Sequence, residues 1–486
     1  MNAPEGDIDF SALFKPRNIA VVGASASSGG PANNFLRGLK RSGYAGDVFP
    51  VHPHAQSIEG FPAYRSINDI PCNVDYAYIA VAAQRTPAIF KGLSRRIVFA
   101  QVVSSGFSEV AGGLALEQQL VTACRQVGVR LLGPNCLGVH SPRGLISFVE
   151  GAPLEQGTIG VLSQSGGLSI DIIGRGHVRG LRFSAVVSLG NCADLGVPDL
   201  LQFLLDDPLT KVIGLYLEDV VEGRRFYDIL RAGRARKPIV LLKGGRTKAG
   251  QRASSSHTGS LAQEDSIWVA LSRQTGVVLV DTLDQLLDAL LTFQFVSLHP
   301  ERPTRRAVLF GNGGGAGVLA CDAFSRAGID IAPLSHDTIT RLQQLKLPAG
   351  TSIENPVDTP GGVLRHEDGL LGVRVLHAIW DDPSVEVVVM HLNIPAIMNY
   401  ANPLVVPNLV RGALDLQSQG GRSVHFVLVL RSDGNVDSGT EKAKYRELAR
   451  EMGVPIFDEF HDAANALSAL AAHETFLNSR MDTSAP

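Results

Sequence analysis

Residues Gly157–Gly176 read GTIGVLSQSGGLSIDIIGRG. Ile159–Leu162 is a short apolar run, Ser163–Gly167 is a turn of small residues, and a helical pattern starts behind it. Buried parallel strands read as continuous apolar runs rather than alternating ones. Glycine lets the backbone turn sharply and lets a ligand come close. The helix that follows aims unsatisfied N–H groups and the positive end of its dipole at the turn, so the turn can hold an anion. The bland alternative is a strand-to-helix turn with no ligand.

The same grammar occurs twice more. Arg17–Tyr44 gives a strand at Ile19–Val22, a small-residue loop from Gly23 and a helix to about Ser42. Arg305–Gly328 gives a strand at Ala307–Phe310, a loop at Gly311–Gly315 and another helix. Further apolar runs at Tyr76–Ala82, Phe99–Ser105, Lys211–Glu218, Pro238–Lys243, Val385–Leu392 and Val424–Leu430 are separated by helical patterns such as Asp281–Phe293. This alternation predicts an α/β protein of doubly wound parallel sheets. A length of 486 residues allows about three domains. Linker compositions at Glu150–Gly157 and Ser297–Arg306 divide them as 1–150, 151–300 and 301–480.

Composition narrows the function. A net charge of −3 gives no basic stripe for nucleic acid. No apolar run approaches the roughly 20 residues of a membrane helix. The N-terminus MNAPEGDIDF has no basic-then-apolar pattern, so a cytoplasmic protein without a signal peptide is expected. The five cysteines are scattered and form no CxxC pair, which argues against a bound metal.

The first loop, VVGASASSGG, is not a GxGxxG, and the next strand, Asp47–Pro53, ends in His and Pro rather than a ribose-binding acid. A nicotinamide-dependent oxidoreductase is therefore a weaker reading. LLGPNCLG (Leu131–Gly138) ends a strand and can line the same crevice. RASSSHTGSLA (Arg252–Ala262) sets one imidazole, His257, in a small polar segment behind LLKGGRTKAGQ, and reads as a flexible loop. A neutral imidazole placed between two anion cradles, Ser165–Gly167 and Gly313–Gly315, is the arrangement that phosphoryl relay requires. Its second nitrogen needs a carboxylate, and YLEDVVEG supplies Glu218 and Asp219 at a strand's carboxyl end.

Together these pieces resemble the nucleoside-diphosphate-forming acyl-CoA synthetase superfamily. The resemblance runs through KPRNIAVVGAS, GYAGDVFPVHP, GPNCLGV, GVLSQSGGLS, SLGNCADL, IGLYLEDV, LLKGGRTKAGQRASSSHTGSLA and ENPVDT. It implies a CoA-binding Rossmann-like domain followed by two flavodoxin-like ligase domains. His257 then corresponds to the phosphorylated histidine and Glu218 to its supporting glutamate. Ser165 and Gly166 correspond to one phosphate-holding helix start, and Gly313 and Gly314 fall near a second. Gly23, Ala24, Ser25 and Asn135 would contact CoA. The family reaction joins a small carboxylic acid to CoA through acyl phosphate and phosphohistidine. Its nucleotide step needs an ATP-grasp module that is not found in this sequence. The resemblance thus implies a β-type partner carrying ATP or ADP and Mg²⁺, in an α2β2 assembly. The rival from another class is a non-catalytic CoA- or acyl-CoA-binding regulatory module. Departures from the family pattern are the looser GASASSGGPANN, Gln263 after SLA, and Cys192 in GNCAD, which either lines the acyl pocket or is core.

Overall fold

The computed structural model describes residues 8–482 apart from 28, 95, 234, 259–263, 399–403 and 420–422, and side chains at 255–258, 363, 365, 397–398 and 482 are not described. The chain forms two compact units, Met1–Asp281 and Thr282–Pro486.

The first unit holds two sheets. Strands β1 (Asn18–Val22), β2 (Asp47–Val51), β3 (Val74–Ile79), β4 (Ile97–Val102) and β5 (Arg130–Leu132) lie in the order β2-β1-β3-β4-β5, all parallel. The order reverses between β1 and β3, so the crevice for a ligand opens at the loops after these strands. The second sheet comprises β6 (Gly138–His140), β7 (Ile159–Ser163), β8 (Phe183–Ser188), β9 (Val212–Leu217), β10 (Ile239–Lys243) and β11 (Val278–Val280). Its order is β11-β10-β9-β7-β8-β6, and β6 runs antiparallel to β8. The chain therefore changes sheet between Leu132 and Gly138, ahead of the linker at 150.

One apolar core spans both sheets. Phe14 stacks on Phe203 at 4.5 Å between centroids, and Arg143 grips Asp207 with both guanidinium arms, at 3.0 and 2.5 Å. Shared burial of this kind explains why residues 1–281 behave as one body.

The second unit is built on β12 (Ala307–Gly311), β13 (Val357–Asp358), β14 (Val387–Asn393), β15 (His425–Arg431) and β16 (Ile456–Phe457), all parallel in the order β13-β12-β14-β15-β16. The helix Leu283–Phe295 packs on the long helix Phe460–Asp482, so it belongs to this unit rather than to the one before it. Val387–Leu392 is buried throughout, as a strand covered on both faces must be. No helix among the described residues is long and apolar enough to cross a membrane.

Candidate active site

The second sheet presents its chemistry at the carboxyl ends of β7, β9 and β10. Behind β7, helix α1 (Gly166–Arg179) begins at the N-cap Ser165, whose Oγ accepts the Leu168 N–H at 3.3 Å. The Ser165 carbonyl accepts the hydroxyls of Ser163 (2.9 Å) and Ser169 (2.8 Å), which fixes the turn from below. A Cβ on Gly166 would fall 3.0 Å from Leu137 Cγ, whereas one on Gly167 would meet nothing within 4 Å. The helix start is thus tight on its inner side and open on its outer side, with the positive dipole end facing the opening.

Glu218 stands just beyond β9. Gln164, the residue before the N-cap, grips it by the backbone. Its Oε1 accepts the N–H groups of Glu218 (2.6 Å) and Asp219 (3.0 Å), and its Nε2 donates to the Asp219 carbonyl at 2.8 Å. Lys243, at the end of β10, donates to the Glu218 carbonyl at 2.8 Å and also to that of Gly244. Lys243 is only 7% exposed and lies over the Trp268 ring at 5.1 Å. Burial holds its ammonium below the usual lysine value, against the pull of the Asp219 and Glu218 carboxylates. The carboxylate of Glu218 accepts the Tyr216 phenol at 3.0 Å.

The glycine pair after Lys243 joins this carboxylate to the segment of His257. A Cβ on Gly244 would be 3.4 Å from Glu218 Cγ, while the left-handed Gly245 (φ 77°) backs onto Ser254 and Gly250. Ser254 and Gly250 belong to helix α2 (Lys248–Thr258). Position 257 is therefore in the last turn of a helix, where the composition predicted a loop. The Thr247 Oγ1 accepts the Gly250 N–H at 3.1 Å, an N-cap, and Lys248–Ala253 contains Ala, Gln, Lys and Arg, all good helix formers. The His257 side chain lies outside the described residues. At the base of this segment Arg246 holds Asp265 at 2.5 Å and also binds Asp281.

The expected CoA residues line the end of the first sheet. Gly23 (φ 99°) must be glycine, because a Cβ there would sit 2.3 Å from the Ala80 carbonyl oxygen. Ala24 is buried. The Ser25 N–H is committed internally, to Asn33 Oδ1 at 2.9 Å, and the Asn33 amide returns to the Ser25 carbonyl at 2.9 Å. Asn135 (φ 58°) donates to Asn191 Oδ1 at 3.3 Å. Asn191 reaches back with its own amide to Glu109 (2.6 Å), Glu117 (2.9 Å) and Ser108 (3.2 Å). Next to it, burial pushes the Cys192 thiol up to about 12, so this sulfur is held as a thiol, 4.0 Å from Gln164 Nε2.

In the second unit, helix α3 (Gly314–Arg326) starts at the N-cap Gly313 (φ 115°). Here the expected anion cradle is occupied by the chain itself. Asp358 Oδ1 accepts the Gly313 N–H at 2.7 Å, and a Cβ on Gly314 would be 3.1 Å from Asp358 Oδ2. Among the described residues, no group of three or more His, Cys, Asp or Glu converges as a metal site.

Residues 17–142 match the model of a CoA binding domain family, and residues 156–293 match a succinyl-CoA ligase like flavodoxin domain. The α subunit of an ADP-forming acetate–CoA ligase I from Pyrococcus furiosus is 32% identical, over 95% of this chain and 97% of that subunit. This chain belongs to the nucleoside-diphosphate-forming acyl-CoA synthetases. A solved acetyl-coenzyme A synthetase 1 from Ca. Korarchaeum cryptofilum, in complex with phosphate and ADP, superposes with a TM-score of 0.83 at 30% identity, covering 98% of this chain and 99% of that one. An ADP-forming acetate–CoA ligase I from Archaeoglobus fulgidus is 36% identical over 87% of this chain, but the match spans only 60% of that relative's length.

Four residues of this synthetase chain escaped the sequence reading: Gln164, Asn191, Tyr216 and Asp358. One signal was available. Tyr216 and Glu218 are two apart in a strand and so project from the same face. The partners of Asp358 and Asn191 are 45 and more than 50 residues away, beyond any local pattern.

Proposed function

We propose that the chain is the α-type subunit of an acid–CoA ligase that forms a nucleoside diphosphate. It interconverts a carboxylic acid, CoA and ATP with acyl-CoA, ADP and phosphate. Phosphate attacks the acyl-CoA carbonyl, the C–S bond breaks, and CoA leaves as the thiol while acyl phosphate forms. A ring nitrogen of His257 then attacks phosphorus and the carboxylate leaves. Phosphohistidine finally gives its phosphoryl group to ADP, regenerating the neutral imidazole.

The observation that carries this reading is the common mount of Glu218. Gln164 ties it to the Ser165 helix start, and Gly244–Gly245 joins it to the helix that contains position 257. Ser165 and Gly166 hold phosphate, and Glu218 orients the imidazole and stabilises its charged form. Gly23, Ala24, Ser25 and Asn135 line the CoA site of the first of three domains. The start at Gly313–Gly314 is the second phosphate station, reached when Asp358 releases the Gly313 N–H. The nucleotide and Mg²⁺ are supplied by an ATP-grasp β-type partner, in an α2β2 assembly in the cytoplasm.

The test is phosphoenzyme formation. Wild-type protein with acetyl-CoA and labelled inorganic phosphate, or with ATP and a β-type partner, should acquire acid-labile label, and His257→Ala none. Label persisting on His257→Ala overturns the assignment. Tight CoA binding with no label under any partner condition replaces it with a non-catalytic binding module.

A further inference from the structure

We infer that Tyr216 is a positioning residue for Glu218, holding the carboxylate by its phenol while Gln164 and Lys243 fix the backbone beneath it. This rests on the phosphohistidine reading above. Strand β9 is buried at every position except Tyr216, which is half-buried and points from the same face as Glu218. A half-buried tyrosine hydroxyl takes a partner as a rule, and here that partner is the carboxylate of Glu218, whose Oε1 accepts it at 3.0 Å. Burial and the adjacent Glu218 carboxylate push the phenol's pKa up, so it stays protonated and remains a donor.

The mount is fixed from three directions. Gln164 takes both N–H groups at 218 and 219, and Lys243 takes the 218 carbonyl. With its backbone clamped, the direction of the Glu218 side chain is what the Tyr216 hydroxyl helps to set. Gly244 leaves the space for this contact, since a Cβ there would lie 2.9 Å from the Tyr216 hydroxyl oxygen and 3.4 Å from Glu218 Cγ. A carboxylate that must meet a moving imidazole gains from such fixing, because misplacement by about 1 Å costs roughly 100-fold in rate.

The experiment measures label uptake from acetyl-CoA and labelled inorganic phosphate in the full chain. Tyr216→Phe keeps the ring and removes the donor. Its labelling rate at saturating phosphate should fall about tenfold, with half-saturating phosphate within about twofold of wild type and unchanged melting. Gly244→Ala, which leaves Tyr216 and Glu218 intact but wedges between them, should reproduce the loss. In a Glu218→Gln background, Tyr216→Phe should add little, as expected for two residues acting as one unit. A wild-type rate in both Tyr216→Phe and Gly244→Ala overturns the inference. So does a loss that appears in half-saturating phosphate alone, or one that multiplies in full with Glu218→Gln. Label on His257→Ala would instead strike the underlying reading, so the two failures are distinguishable.

Discussion

The helix starts at Ser165–Gly167 and Gly313–Gly315 share one grammar: an apolar strand, a short polar-to-glycine turn and a helix of small residues. They differ in what satisfies them. Ser165 caps with a neutral hydroxyl that takes one N–H, that of Leu168. At Gly313 the capping oxygen is a carboxylate, Asp358, from the neighbouring strand β13. A helix N-terminus favours negative charge whether a ligand or the chain provides it. The first start is therefore prepared for an anion from outside, and the second already has one. Glycine turns announce where anions are welcome, and only a distant residue decides whose anion it is.

The most drastic way to break this contrast is to give the first start a carboxylate of its own. Gly166→Asp places an acid where Leu137, a flexible side chain, is the near neighbour, so the fold can adjust. Phosphate then meets like charge at the cradle. Labelling of His257 from acetyl-CoA and phosphate should fall about 100-fold or more at fixed phosphate, a loss of about 2.7 kcal/mol. Gly166→Ala is the uncharged control and should lose far less. Equal losses in the two variants would mean that steric fit, not charge, governs this start.

A second test asks whether the difference is confined to the helix starts. Each unit buries a neutral imidazole in its sheet. His140 in β6 bonds Ser147 at 3.0 Å, and His391 in β14 lies against Gly311, just ahead of the second start. Burial depresses both to about 4, from an ordinary value near 6.5. The unfolded chain takes up these protons first as pH falls. The contribution of each neutral imidazole is thus fully present above about 6.5, declines below it and is lost by about pH 4. At pH 5.5 each unit should have lost about 1.4 kcal/mol. The two tryptophans report separately, Trp268 for the first unit and Trp380 for the second. His140→Asn should flatten the acid decline seen by Trp268, and His391→Gln that seen by Trp380. A pH-independent first unit beside an acid-labile second would show that the units differ well below their surfaces.

The sheets were legible because both-face burial leaves unbroken apolar runs, as in Val212–Leu217 and Val387–Leu392. Strand β6 was not, since three residues paired antiparallel at a sheet edge carry no such run. The helix at Lys248–Thr258 was read as a loop because Ser and Thr dominate its second half, while the Thr247 cap and the favourable Lys248–Ala253 turn decide its start. At the site, Glu218 and Ser165 were legible from their positions at strand ends. Gln164 was not, because the groups it grips at Glu218 and Asp219 are backbone atoms more than 50 residues on. Asp358 was quoted inside ENPVDT without a role, since nothing local ties it to Gly313.

The gentlest test removes that charge. Asp358→Asn keeps an oxygen that can accept the Gly313 N–H but cancels the negative charge at the dipole end. An external anion then no longer competes with a carboxylate for the same groups. Read in a Gly166→Asp background, where the first cradle is closed, phosphate should protect the second unit, monitored at Trp380, with an affinity about two- to fivefold tighter than when Asp358 is present. That is the range of a single charge at a helix terminus, about 0.3–1 kcal/mol. The change should shrink as salt rises, because the site is exposed. Unaltered protection would make Asp358 a plain cap rather than a resident competitor, and the two helix starts would then differ in sequence alone, not in what they admit.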